Sequence, residues 1–396
     1  MTSATLDDKA LLAVPEAPPP PPASTMVEVA RKYGVSPFRQ LSEMVRLNLG
    51  PGRLYLHEYY SSGLYDPAIS MAEKRQYVGQ KGNWNLNEDL SPKKLLTMHN
   101  FVANKVMYTS LIRQLGFRTT ETQAVVSDSR RFGEIPAITQ KSKLKAFLIG
   151  RARYPIFGKP TAYSGSFGSV LIRAREGEML VLGNGRQISI DSFCDEIFAE
   201  YANGYLLQSA LEQHPAMAAI TGKAVGSLRI VTARQNTMPE VLYSLWKIPA
   251  PKAMSDNFWQ DGSMIAPVDA MTGQVGQCRI GTGLKAADID DHPVSGARIT
   301  GFDVPHWEAA RALVTEAHAL FPEFGVIGWD VAMTPDGPAI IECNDNPFHM
   351  LYQLAYGRGI RNPEFTPVFE RVAARSKALM AERKAQFKQR VKKHRR

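Results

Sequence analysis

Residues 326–347 read VIGWDVAMTPDGPAIIECNDNP, and the reading of the chain turns on them. Two apolar runs flank Thr334-Pro335-Asp336-Gly337-Pro338, a turn by composition. Side chains alternate along a strand, so Glu342 and Asn344 share one face and Cys343 takes the other. A loop of odd length centred near Asp336 sets Asp330 directly opposite Glu342, whereas a loop of even length breaks that register. Two carboxylates facing each other across a hairpin repel. A divalent cation between them converts the penalty into a site. Asp330, Glu342 and Asn344 are three hard oxygen ligands, which suits Mg²⁺ with phosphates and waters completing its shell. The competing reading places these residues on the solvent face of an edge hairpin.

A second stretch, YPIFGKPTAYSGSFGSVLIRAR (154–175), ends an apolar strand in Lys159-Pro160. Ser164-Gly165-Ser166-Phe167-Gly168-Ser169 follows. Small residues let backbone N–H groups approach phosphate oxygens, and Lys159 stands where it would neutralise them. The alternative is a glycine-rich hairpin loop that binds nothing. No GxxxxGK[ST] occurs, so this is not a P-loop. In Gly226-Ser227-Leu228-Arg229-Ile230-Val231, Arg229 alternates against Leu228 and Ile230. It points away from the apolar face, as a phosphate or carboxylate clamp or as a plain surface arginine. Gly281–Ala286 fits GxGxxA only nominally and reads as a loop.

The 396 residues are 44% apolar and 21% charged, ordinary for two or three globular domains. Three cysteines exclude a disulfide framework and suit a reducing compartment. No apolar run approaches the roughly 18 residues of a membrane span, and the N-terminus does not read as a secretory signal. The net charge is +9, but residues 371–396 carry eleven Lys or Arg against Glu382 alone. The rest of the chain sums to −1, so no specific nucleic-acid partner is expected.

The expected organisation follows composition. Residues 1–25, with five prolines at 18–22, are a disordered tail. Residues 26–118 are helical: Val27, Val29, Phe38, Leu41, Met44, Val45 and Leu49 recur at three- and four-residue spacings around a Gly34–Pro37 break. The stretch 94–114 reads as one long amphipathic helix. Strands begin near 120, and Asp191 is the expected N-cap of a helix over 191–202. Residues 361–396 end in a basic helix from about 367 to 391, its first half packed on the body and the rest facing solvent.

Together these residues resemble the ATP-grasp superfamily and, more narrowly, its sugar-transfer-associated branch, related to α-glutamate ligases. FGKP with its small-residue loop resembles the small lobe, GYLLQSALEQHP the inter-lobe adenine segment, and VGSLRIVTAR the arginine-bearing strand. HPVSGARITGFDVPHW followed by GWDVAMTPDGPAIIECNDNP is similar in order and spacing to the branch's C-terminal signature. The resemblance implies an α+β ATP-grasp fold with a helical N-terminal extension. A pre-grasp segment would run over 119–150, a small lobe over 151–205 and a large lobe over 206–360. It implies that Lys159 binds the α- and β-phosphates together with Ser164, Gly165, Ser166 and Gly168. Gln208 and Leu211 would lie by the adenine, and Arg229 would stabilise the transferred phosphate. Asp330, Glu342 and Asn344 would hold Mg²⁺ or Mn²⁺.

The function so implied is an ATP- and Mg²⁺-dependent carboxylate–amine ligase that forms an acyl phosphate, in cell-surface saccharide or secondary-metabolite chemistry. Its substrates would be a small carboxylate and an amine, and its compartment the cytoplasm. The basic stretch 381–396 would at most touch an anionic membrane face or an acidic partner. A kinase acting on a hydroxyl, and a nonenzymatic binding protein using the basic tail, are the competing readings.

Overall fold

The structure is a computed structural model that describes residues 22–161, 168–222, 224–251, 253–258 and 260–394. The proline-rich segment 1–21 and the loop residues Ser164, Gly165 and Ser166 lie outside the described residues.

Two seven-stranded sheets organise the chain. The first contains β1 (Thr122–Val126), β2 (Ala137–Ile138), β3 (Ile156–Pro160), β4 (Val170–Glu176), β5 (Met179–Leu182), β6 (Gln187–Ser189) and β7 (Tyr205–Ser209). Its order is β2-β1-β7-β3-β4-β5-β6. It therefore draws strands from both sides of residues 150 and 205. Helices α8 (Lys141–Gly150) and α9 (Ile190–Glu200) cover it through Leu144, Leu148, Phe193 and Ile197. The N-cap of α9 is Ser189, whose hydroxyl accepts from the Ser192 amide, and not Asp191. Asp191 instead lies in the first turn and pairs with Lys145.

The second sheet is antiparallel throughout, in the order β12-β11-β10-β9-β8-β13-β14. Its strands are β8 (Leu228–Ala233), β9 (Glu240–Ile248), β10 (Met264–Val268), β11 (Cys278–Ile280), β12 (Ala287–Ile289), β13 (Val326–Thr334) and β14 (Gly337–Asn344). One face carries Ile230, Trp246, Trp329 and Val331 against α11 (Trp307–Ala319). The opposite face carries Val231, Tyr243, Leu245 and Val326. It packs on α5 (Gln80–Leu90), α12 (Met350–Tyr356) and the start of α13 (Thr366–His394). Both faces are covered, so the central strands are apolar almost without interruption. A charged residue that interrupts them is buried and needs a partner or a ligand.

The β13–β14 turn differs from expectation. Thr334 pairs with Gly337, leaving a two-residue turn of Pro335 and Asp336, and Val331 pairs with Ile340. That even register would misplace the carboxylates. A bulge at Ile341 absorbs one residue, and Asp330 then faces Glu342 while Gly328 faces Asn344.

The N-terminal region is helical, in α1 (Pro22–Tyr33), α2 (Pro37–Leu49), α3 (Leu56–Ser61), α4 (Met71–Lys74) and α5. The stretch 94–114 is not one helix. It divides into α6 (His99–Ala103) and α7 (Lys105–Gln114), because the Asn104 side chain accepts from the Met107 amide and caps a new start. The apolar spacing in α1 and α2 marks the helices but does not mark a single buried side. Of the seven residues, Val29 and Met44 are buried, while Val27, Phe38, Leu41, Val45 and Leu49 are exposed. The inward face of α2 instead carries Gln40 and Glu43. Glu43 meets Lys74 Nζ at 2.7 Å, accepts from Tyr59 Oη at 2.8 Å and pairs with Arg39 at 3.0 Å. Burial pushes the Glu43 carboxyl up, and these donors outweigh it and hold its pKa below the ordinary value.

At the other end, α13 packs through Phe369 and Val372, and the Ser376 hydroxyl donates to the Leu90 carbonyl. From Glu382 to Arg390 every residue is exposed.

Glu43→Ala leaves the buried Lys74 ammonium without its counter-ion and should cost about 3 kcal/mol in denaturant unfolding at pH 7. Because the Glu43 pKa is lowered on folding, its contribution is complete above 4.5 and is lost as pH falls through that range. The deficit of the variant should therefore shrink in acid; an equal deficit at pH 3 and pH 7 would refute this assignment.

Candidate active site

The charged interruptions converge. Arg229, Lys247, Asp330, Glu342 and Asn344 line one cavity of about 220 Å³ with Lys159, Gln208 and Leu211. Strand order explains the meeting. On β8, β9, β13 and β14 these five residues lie on the sheet face that also bears Tyr243 and Leu245. They occupy the part of that face left by the apolar packing. Lys159 and Gln208 come from neighbouring strands of the first sheet, β3 and β7. The cavity therefore lies between the two sheets.

Asp330 is the common partner. Arg229 Nε donates to Oδ1 at 2.7 Å and Nη2 to Oδ2 at 3.1 Å, a two-pronged pair directly across the strands. Lys247 Nζ lies 3.3 Å from the same Oδ1 and 3.0 Å from Asp256 Oδ2. Asp256 also receives the Ser227 amide at 3.2 Å and the Ser227 hydroxyl. Burial pushes the Asp330 carboxyl up, but Arg229 and Lys247 more than reverse this and keep it well below the ordinary range. Burial opposes the charge on Lys247 too, yet Asp256 and Asp330 raise its pKa. Among the described residues no carboxylate forms an ion pair with Lys159, and burial lowers its pKa. Its ammonium is thus under-compensated, the condition in which an added anion is most welcome.

Glu342 is less committed. Lys105 Nζ, at the start of α7, lies 3.4 Å from its Oε1. Asn344 Nδ2 is buried with no hydrogen-bond partner among the described residues, so that amide can turn its oxygen to a cation. The donor set of two carboxylates and an amide oxygen in one cavity fits a hard divalent ion. Gln208 Nε2 is likewise buried and, among the described residues, unpartnered, and Phe157 and Leu171 line the same cavity. An orphaned donor between apolar walls fits an aromatic heterocycle with ring acceptors.

Gly168 does not line the cavity; Ser169 does. Gly168 has φ +69°, and a Cβ there would lie 2.6 Å from Tyr201 Oη, so its place is a backbone requirement. His349 is structural. Its Nδ1 faces Tyr243 Oη at 2.9 Å and its Nε2 faces Asn87 Oδ1 at 3.0 Å. Burial, with a smaller effect from Arg229, pushes its pKa down to about 3.

Sequence reasoning missed Lys105, Lys247 and Asp256. Lys247 had a signal, since it alternates with Trp246 and Ile248 as Arg229 does with its neighbours. Lys105 had none, because only tertiary packing carries α7 to β14.

Asp330→Ala removes the anion shared by two buried cations and should destabilise the fold by about 3–5 kcal/mol. Glu342→Gln, one-third exposed beside Lys105, should change it by under about 1 kcal/mol. Denaturant unfolding of both variants measures the contrast; equal losses would make Glu342 a structural residue.

The profile of the family described as sugar-transfer associated ATP-grasp matches residues 86–366. No curated protein sequence matches the chain. Among solved structures, the D-alanine–D-alanine ligase from Coxiella burnetii is similar at 11% identity and TM-score 0.42, over 73% of this chain and 62% of that one. The biotin carboxylase domain of the 2-oxoglutarate carboxylase from Hydrogenobacter thermophilus is similar at 10% identity and TM-score 0.38, over 69% and 46%. An L-amino acid ligase from Bacillus licheniformis is similar at 13% identity and TM-score 0.37, over 69% and 48%. The chain thus spans about half to two-thirds of the length of these chains. With the family profile covering well over half of its residues, the chain belongs to the sugar-transfer associated ATP-grasp family.

Proposed function

We propose that the protein is an ATP-dependent ligase that joins a small carboxylate to an amine through an acyl phosphate, in cell-surface saccharide or secondary-metabolite chemistry. One observation carries the reading: four cations, Lys105, Lys159, Arg229 and Lys247, share a cavity with the oxygen donors Asp330, Glu342 and Asn344. That inventory neutralises a polyphosphate and includes a place for its metal.

In this reading Gln208 donates to the adenine, and Leu211 contacts it through its backbone. Lys159 meets the α- and β-phosphates, and Arg229 and Lys247 meet the terminal phosphate. Asp330, Glu342 and Asn344 hold a divalent ion, Mg²⁺ or Mn²⁺, which supplies charge neutralisation of the phosphate oxygens when bound. The substrate carboxylate oxygen attacks the γ-phosphorus, the bond to the β–γ bridging oxygen breaks, and ADP leaves. The amine nitrogen then attacks the acyl carbon, phosphate departs with the bonding electron pair, and the nitrogen loses a proton. The protein contributes position and charge at each step, so a nucleophilic side chain is not required. The reading keeps the protein cytoplasmic. It leaves the exposed basic part of α13 as a weak electrostatic contact to an anionic surface, without a specific nucleic-acid partner.

The test is turnover with candidate carboxylates in the presence of hydroxylamine. ADP, phosphate and a hydroxamate are the expected products. AMP and pyrophosphate would overturn the acyl-phosphate route, and ADP with a phosphorylated hydroxyl would establish the kinase instead. Glu342→Gln should lower metal-dependent turnover about 100-fold with the fold intact. Lys159→Ala should raise the KM for ATP. Because the Lys159 pKa is lowered, ATP affinity in the wild type should begin to fall at a less alkaline pH than an exposed lysine would give. An unchanged alkaline limb in Lys159→Arg would count against that origin.

A further inference from the structure

Helix α2 carries two apolar stripes, and the fold uses only one. Met44 and Leu47 face inward with Gln40 and Glu43. On the opposite side Phe38, Leu41, Val45 and Leu49 follow one another at spacings of three, four and four, one continuous line along a helix. All four are exposed, Phe38 by 82% and Leu49 by 69%. Tyr55, the N-cap of α3, and Leu56, its first residue, are exposed as well. A large aromatic and three aliphatic side chains held in water cost free energy that a solvated helix has no reason to bear.

The charges around this stripe identify what covers it. From residue 24 to 57 the exposed charged residues are Arg31, Lys32, Arg39, Arg46 and Arg53 against Glu28 alone. The other acid on α2, Glu43, is turned inward and bound to Lys74, Tyr59 and Arg39, so among the described residues Arg46 is the cation of this helix that no carboxylate answers. Arg46 lies on one flank of the stripe, two helical turns beyond Arg39. An antiparallel two-fold pairing of α2 with a second copy sets that basic flank against itself, and the one acid of the helix, Glu43, is already committed to Lys74 and Arg39. A lipid surface answers both features at once. Acyl chains take the apolar line, and anionic head groups take the Arg46 guanidinium.

We propose that the outward face of α2 is a docking surface for an anionic lipid bilayer, with Phe38, Leu41, Val45 and Leu49 entering the head-group and acyl boundary and Arg46 at the level of the phosphates. The reacting cleft is built from other elements, so this docking is separable from catalysis. It is also distinct from the basic half of α13, which carries Phe387 as its one exposed large apolar side chain among the described residues.

The experiment is flotation of the full-length protein with vesicles of phosphatidylcholine and phosphatidylglycerol, and with vesicles of phosphatidylcholine alone. The wild type should float with the mixed vesicles and at least fivefold less with the neutral ones. Phe38→Ser combined with Leu49→Ser should lower the bound fraction about tenfold, and Arg46→Gln about fivefold, the effect of one basic residue at an anionic surface. Both variants should keep the wild-type unfolding midpoint, since Phe38, Leu49 and Arg46 are largely exposed. Lys384→Gln combined with Lys388→Gln separates the basic helix from α2. If that pair abolishes flotation while the serine pair does not, the proposal fails. It fails equally if the wild type does not float. Sedimentation velocity without lipid completes the test: a dimer that the serine pair converts to monomer would assign the stripe to a second copy and overturn the lipid reading.

Discussion

The cleft depends on one buried carboxylate. Asp330 holds Arg229 by two hydrogen bonds and Lys247 by a third contact, and Lys247 in turn meets Asp256. None of these groups would be tolerated in a sheet covered on both faces if it stood alone. Together they neutralise one another and hold two cations in fixed positions before any anion arrives. That preorganisation suits charge-stabilising chemistry, because the protein need not rearrange charged side chains as a substrate's charge develops. It also explains why the apolar strands β8, β9 and β13 break their pattern at the same level.

The bulge at Ile341 serves the same site. A tight two-residue turn closes β13 onto β14 in a register that would set Asp330 against the wrong neighbour. One extra residue shifts the ladder, and Glu342 then shares a sheet face with Asp330 and Asn344. The strand end nearest the cleft is thereby re-aimed without loosening the turn, which Arg118 ties down through Asp336.

The helical N-terminal region is more than a wrapping. Asn104 interrupts what would be one helix and starts α7 with Lys105 beside Glu342. Asn87 of α5 reaches His349 and Asn346 and so braces the chain just past the metal-ligand candidates. In α2 the usual allocation is reversed. A buried Glu43–Lys74–Tyr59 cluster occupies the inner side, while large apolar side chains remain outside.

Much was legible from the sequence because alternation is a local rule. Glu342 and Asn344 on one strand face, Arg229 and Lys159 standing out of apolar strands, the helical N-terminal region and the basic final helix all follow from period and composition. Three kinds of fact were not local. An odd-length loop is one route to the Asp330–Glu342 pairing, whereas the protein uses an even turn and a bulge at Ile341. Apolar spacing located α1 and α2, but a periodicity does not say which of two apolar stripes meets the core. That depended on where the buried Glu43 found Lys74, 31 residues along the chain. Lys105 and Asp256 entered the cleft only because separate elements fold back onto the sheet. Secondary structure is set by neighbours in sequence, but charge compensation in a buried site is set by neighbours in space.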